Sequence, residues 1–164
     1  MSVSSASSAT IRPQVARQRR RPVAALALVL CAQLMVILDM TIVNVALPSI
    51  ERGLHFSATS LSWVLNAYAL AFGGLLLFGG RISDLWGRKR TFVTGLIGFA
   101  GASALGGAAT GEAMMLGARA LQGAFAAVLA PTALSSIAVM FTDRRERGRA
   151  FATYGAVASS GAVI

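Results

Sequence analysis

Asp39 and Arg119 are ionisable residues set inside otherwise apolar runs of this 164-residue sequence. An ionised group in hydrocarbon costs several kcal/mol unless it is paired or faces a wet cavity, so both side chains are expected to turn away from lipid. Two uses fit such residues. They can neutralise one another as a structural ion pair that holds two helices together. Alternatively the carboxylate can take up and release a proton as the shape of its cavity changes, with the cation responding to its charge. Asn44, Asn66, Tyr68 and Gln122 are candidates for lining a substrate cavity. Trp63 joins them, although interfacial anchoring accounts for the two aromatics equally well.

Little else in the chain can do chemistry. The single cysteine, Cys31, lies inside an apolar run and is expected to be a small, buried packing residue. One cysteine cannot form a disulfide within the chain or a CxxC metal site. The single histidine, His55, stands in a short polar connection without Cys, Asp or a second His nearby. Zinc needs three or four clustered ligands. Neither a catalytic residue nor a metal nor a cofactor is therefore expected.

The elements that must position Asp39 and Arg119 follow from composition. Hydrophobic residues make up 55% of the chain and charged residues 13%, against roughly a quarter charged in a soluble domain. The mean hydropathy is +0.68. These values point to the lipid bilayer as solvent. A net charge of +9 could also indicate nucleic acid, but such a module gathers Lys and Arg on a polar face beside a modest core. Here the charges lie between apolar blocks, and the arginines near the start lack interleaved aromatics. No nucleic-acid partner is expected.

Residues 1–22 read as a disordered basic tail, rich in Ser and Ala and then in Arg12, Arg17, Arg19, Arg20 and Arg21. The apolar run that follows is too long for a cleaved signal peptide, and Leu30 before Cys31 argues against a lipoprotein signal. The pattern predicts an all-α, polytopic transmembrane helix bundle. Its first span covers 23–47 and ends at Pro48. After a polar loop from Glu51 to Ser60, further spans cover 61–80, 92–110 and 113–141, with charged turns at 81–90 and 143–149. A fifth run, 151–164, offers fourteen residues of the ~20 that a span requires.

Basic residues collect before the first span, after the second and after the fourth, whereas the two opposite loops hold only Arg52. By the positive-inside rule the N-terminus is cytoplasmic. Asp39 then lies about eight residues, roughly 12 Å, from the outer end of its span, and Arg119 about six residues, roughly 9 Å, inside its own. Opposite charges at matched depth are candidates for partners. On the third span Gly98, Ala102 and Gly106 fall on one face at intervals of four, a spacing that permits close helix packing.

Several segments resemble a known family. Leu38-Asp39-Met40-Thr41-Ile42-Val43-Asn44-Val45-Ala46-Leu47-Pro48 is similar to the first-helix signature of drug:proton antiporters of the major facilitator superfamily, particularly the fourteen-helix branch. Gly80-Arg81-Ile82-Ser83-Asp84-Leu85-Trp86-Gly87-Arg88-Lys89-Arg90 resembles the superfamily signature between helices two and three, with Leu85 where a basic residue is frequent. Gly80 and Gly87 would permit a tight turn there, and Asp84 and Arg88 could exchange charge-assisted bonds across it. Arg119-Ala120-Leu121-Gln122-Gly123 resembles the proton-linked signature of the fourth helix, and Gly155 and Gly161 fit the start of a fifth-helix antiporter signature.

The resemblance implies most of an N-terminal six-helix half of a multi-pass transporter of the cell membrane. It implies export of amphipathic or cationic drugs, driven by the proton gradient. Asp39 and Arg119 would couple to protons, and Gly80, Asp84, Gly87 and Arg88 would form a cytoplasmic gate. Two rivals stay open: a nutrient symporter or uniporter of the same superfamily, and a truncated membrane fragment without transport activity. Alternating access rocks one half against another, so the segment by itself is not expected to transport.

Overall fold

The computed structural model describes residues 11–54 and 57–160, leaving His55 and Gly161 outside the described residues. All the regular structure within them is α-helical. Five helices follow in order: α1 (Ile11–Leu54), α2 (Ala58–Trp86), α3 (Arg88–Gly107), α4 (Glu112–Met140) and α5 (Arg144–Ser160). In lipid this is the form that satisfies every backbone polar group within its own segment. Three helices are long and apolar enough to cross a membrane: Val23–Gly53 within α1, Ser60–Trp86 within α2, and α4 over its full length. The third expected span, 92–110, is instead a helix that starts on Arg88, Lys89 and Arg90 and ends at Gly107. Its charged first turn and many glycines leave it less apolar than the other three.

Helix boundaries differ from the expected ones in a consistent way: helices run into the segments read as tail or loop. The helical part of the basic segment begins at Ile11, which corrects the reading of 1–22 as wholly disordered. Arg, Gln and Ala are good helix formers, and Pro13 stands in the first turn, where no backbone donor is needed. Pro48 does not end α1, which continues to Leu54. There the Arg52 Nε donates to the Pro48 carbonyl at 3.0 Å, tying the last turn together. Helix α2 then begins after Ser57, whose hydroxyl accepts from the Ser60 N–H at 3.1 Å. Similarly, Asp143 caps α5 by accepting from the N–H groups of Arg145 and Glu146, so most of the charged segment 143–149 is helical.

A single residue, Gly87, joins α2 to α3. Its φ of 85° and ψ of 136° place it in a region that side chains oppose. Gly80 plays no part in that turn, because it lies inside α2, and a methyl group there would meet only Pro131 at 3.9 Å. The expectation of a glycine pair at the turn is thus corrected to one glycine. Gly87→Ala in the full-length protein is expected to cost about 1–3 kcal/mol, seen as a lower thermal midpoint in detergent. An unchanged midpoint would show that the turn tolerates a side chain.

Helix α4 is the hub, packing along α2 and α3, with α1 and α5 joined to it through smaller interfaces. Small residues set these distances. A Cβ on Gly79 would strike the Ala127 carbonyl, one on Gly123 would strike the Tyr68 carbonyl, and one on Gly98 would enter the Phe125 ring. Ala102 is buried on the same face of α3 as Gly98. The Ala127 carbonyl is also the group freed by Pro131, which lacks the N–H that would bond to it four residues earlier. Gly79 presents a Cα–H where any other residue would place a Cβ, so α2 comes close enough to cover that carbonyl.

Candidate functional site

Four helices converge on Asp39. Arg119 and Gln122 are three residues apart on α4 and therefore share a face. The Arg119 Nη1 donates to Asp39 Oδ2 at 2.6 Å and to Gln122 Oε1 at 2.8 Å. The Gln122 Nε2 donates to Asp39 Oδ1 at 2.7 Å, and the Ser103 hydroxyl of α3 donates to the same oxygen at 3.3 Å. From α2 the Val64 carbonyl accepts from Arg119 Nε at 3.3 Å. The Tyr68 ring, one turn on, lies beneath the guanidinium, 4.8 Å from its carbon. Tyr68 is itself stacked on Phe72, with ring centroids 6.1 Å apart. Gly123 makes this placement possible, since a side chain there would push away the Tyr68 backbone.

The cluster is sheltered by protein. The Arg119 side chain is 1% exposed and that of Asp39 10%. Every acceptor lone pair and donor counts at such burial, and Arg119 Nη2 is left without a partner among the described residues. Cavities approach from different sides. One of about 430 Å³ is lined by Asp39, Ser103, Arg119 and Gln122 together with Val43 and Met115. Another, of about 410 Å³, lies beyond Tyr68 and carries Gln33, Met40, Phe72 and Tyr154 on its walls. Across it the Tyr154 hydroxyl donates to Gln33 Oε1 at 2.8 Å, linking α5 to α1. A third, of about 640 Å³, opens between α1 and α3 and reaches both Asp39 and Cys31.

Of the residues singled out in the sequence, Asp39, Arg119, Gln122 and Tyr68 come together. Asn44, Asn66 and Trp63 do not: all three are exposed, and the Asn44 amide is bonded to the Met40 carbonyl of its own helix at 2.8 Å. Cys31 is exposed rather than buried, because the flank of α1 that faces α3 is left open. Asp84 is exposed and Arg88 partly so, and neither forms an ion pair or hydrogen bond among the described residues. The expected bond across the turn is therefore not made. Accessible charges gain little from pairing.

Sequence reasoning missed Ser103, the Val64 carbonyl, the Gln33 and Tyr154 pair, and the glycines 79 and 123. One signal was readable: Ser103 is the only hydroxyl between Gly95 and Ala109. It sits one residue beyond the packing position Ala102.

The profile of the Major Facilitator Superfamily matches residues 29–164. The chain belongs to this superfamily. Over 139 residues the facilitator chain is 56% identical to the puromycin resistance protein pur8 of Streptomyces alboniger, a match covering 85% of this chain and 28% of that protein. It is 47% identical over 137 residues to the cephamycin export protein CmcT of Amycolatopsis lactamdurans, covering 84% of this chain and 28% of the relative. It is 36% identical over 152 residues to the multidrug efflux pump LfrA of Mycolicibacterium smegmatis, covering 93% and 30% respectively. The chain thus spans less than a third of the length of these curated relatives. Its apolar helices and its superfamily make it a multi-pass membrane protein.

Proposed function

We propose that the chain is the N-terminal portion of a proton-coupled drug exporter of the fourteen-helix branch, placed in the cell membrane with its N-terminus in the cytoplasm. The observation that carries this reading is the Asp39–Arg119 ion pair, 2.6 Å long and buried among four helices. The names of relatives that confer resistance or export antibiotics support small-molecule drugs as the class of cargo, and amphipathic or cationic character is part of the proposal.

In this reading the proton and the pair compete. Ionised Asp39 holds Arg119, Gln122 and Ser103 about itself. A proton arriving through a cavity neutralises the carboxylate and removes its attraction for the guanidinium. Arg119 then keeps the Val64 carbonyl, the Gln122 amide oxygen and the Tyr68 ring face. Helix α1 is thereby freed from α4 at mid-depth, while the cation stays solvated by protein. Such a change of helix contacts with protonation is what coupling a gradient to alternating access requires.

The test is Asp39→Asn in the full-length transporter, assayed in right-side-out membrane vesicles loaded with dye. Efflux of a cationic dye driven by an imposed pH gradient is expected to fall to background, with downhill dye movement and protein amount retained. Gradient-driven efflux at the parent rate would reject the proposal.

A further inference from the structure

Three side chains bond to the Asp39 carboxylate among the described residues, and they differ in what they can do once it takes a proton. Arg119 Nη1, 2.6 Å from Oδ2, can only donate. Gln122 presents Nε2 to Oδ1 at 2.7 Å and cannot turn its amide round, because Arg119 Nη1 holds its Oε1 at 2.8 Å. Ser103, 3.3 Å from Oδ1, carries a hydroxyl, which donates or accepts according to its rotation. A proton on Oδ2 would therefore oppose the guanidinium donor. A proton on Oδ1 finds one oxygen ready to receive it, the Oγ of Ser103.

The other hydroxyls of α3 show where the serine hydrogen would go. Thr91 and Thr94 donate to carbonyls four residues earlier on the same helix, those of Gly87 at 3.1 Å and Arg90 at 2.9 Å. Ser103 instead reaches α1, 64 positions away in the chain. Phe99 stands four residues before it, so its carbonyl offers the serine hydrogen the place that the threonines use. Turning from donor to acceptor thus strands no polar group. We propose, on the reading of Asp39 as the proton-binding group, that Ser103 is a positioning residue for the coupling proton: it donates to ionised Asp39 and accepts the O–H of protonated Asp39 from Oδ1. Protonation then passes the hold on α1 from Arg119 of α4 to Ser103 of α3. The other titratable groups around the carboxylate are Arg119 on α4, Tyr68 on α2 and, about two turns earlier on α1, Cys31. Helix α3 brings none to the cavity walls there.

Right-side-out vesicles loaded with a cationic dye and carrying the full-length protein test this, with internal pH fixed and external pH varied. In Ser103→Ala the ionised form loses the longest of its three bonds, whereas the protonated form keeps a sheltered donor with no acceptor. The external pH for half-maximal efflux is therefore expected to fall by about one unit, a tenfold weaker hold on the proton. Ser103→Thr, which keeps the hydroxyl, is expected to restore the parent midpoint. In the purified protein, the infrared carbonyl band of protonated Asp39, recognised by its loss in Asp39→Asn, is expected to move in Ser103→Ala and to stay in place in Ser103→Thr. Ser103 is half-buried and lines both cavities that reach Asp39, so either replacement fits. A slower maximal efflux with an unmoved midpoint would overturn the proposal, since packing alone would explain it. An equal shift in Ser103→Thr, or an infrared band unmoved in Ser103→Ala, would overturn it too. Asp39→Asn in the same vesicles separates the two assignments: loss of gradient-driven efflux there, with a parent midpoint in Ser103→Ala, removes the role of Ser103 and leaves that of Asp39. Parent-rate efflux by Asp39→Asn removes both.

Discussion

Arg119→Gln in the full-length protein is expected to lose most of the folding stability and all gradient-driven transport, and adding Asp39→Asn is expected to return the fold without the transport. Arg119 is 1% exposed and supplies the cation on which Asp39 depends. Breaking a buried pair by removing one partner costs about 3–5 kcal/mol, because the remaining charge has no compensation. Asp39 can escape part of that cost by taking a proton, which sets the lower end of the range. In the double variant both charges are gone, and two amides of similar shape can still bond to Gln122 and Ser103, so little desolvation is left unpaid. Transport stays absent because no carboxylate remains in the buried cluster of Asp39, Arg119, Gln122 and Ser103. Thermal unfolding in detergent reads the first effect and dye efflux from vesicles the second. A single variant as stable as the parent would show that the pair does not hold α1 to α4. Transport by the double variant would place proton coupling elsewhere in the protein.

Gly79→Ala and Gly123→Ala are expected to destabilise the bundle by about 1–3 kcal/mol each, the usual range for overpacking, although alanine is the better helix former by about 1 kcal/mol. At both positions the added carbon would meet a backbone carbonyl of the facing helix, that of Ala127 or of Tyr68, and backbone cannot swing aside as a side chain can. The interface affected, between α2 and α4, is the largest among the described helices. Gly73 and Gly74, on the same helix as Gly79, have open space where their Cβ would be. Gly73→Ala and Gly74→Ala are thus the controls, expected to be neutral or slightly stabilising. Equal effects of all four substitutions on the thermal midpoint would mean that helix propensity, rather than close approach, governs these glycines. Gly123→Ala carries a second consequence. Pushing back the Tyr68 backbone withdraws the ring from beneath Arg119, so transport should fall further than the loss of folded protein accounts for.

The close approach at Gly79 also explains how Pro131 is tolerated near the middle of α4. The proline removes a donor from the Ala127 carbonyl, and the glycine brings α2 over the oxygen left behind. Neither residue is informative alone. In the sequence Gly79 is one of four glycines in Gly73-Gly74 and Gly79-Gly80, and nothing local tells which of them meets another helix.

Depth along each helix was legible in the chain of residues, and sidedness was an expectation drawn from the same residues. Where Asp39 and Arg119 fall along their apolar runs, which loops hold the basic residues, and the need to shelter two charges from lipid all follow from residue type and position on a helix of known rise. Tertiary structure alone decided which atoms answer those charges. Ser103, the Val64 carbonyl and the face of Tyr68 reach the pair because of how α2 and α3 are rotated and how near they stand to α4. Rotation and distance depend on small contacts between helices far apart in the chain, and no periodicity within one helix encodes them. The same cause sorts the polar candidates: Gln122 and Tyr68 turn into the bundle, while Asn44 and Asn66, equally polar and similarly embedded in apolar runs, turn out of it.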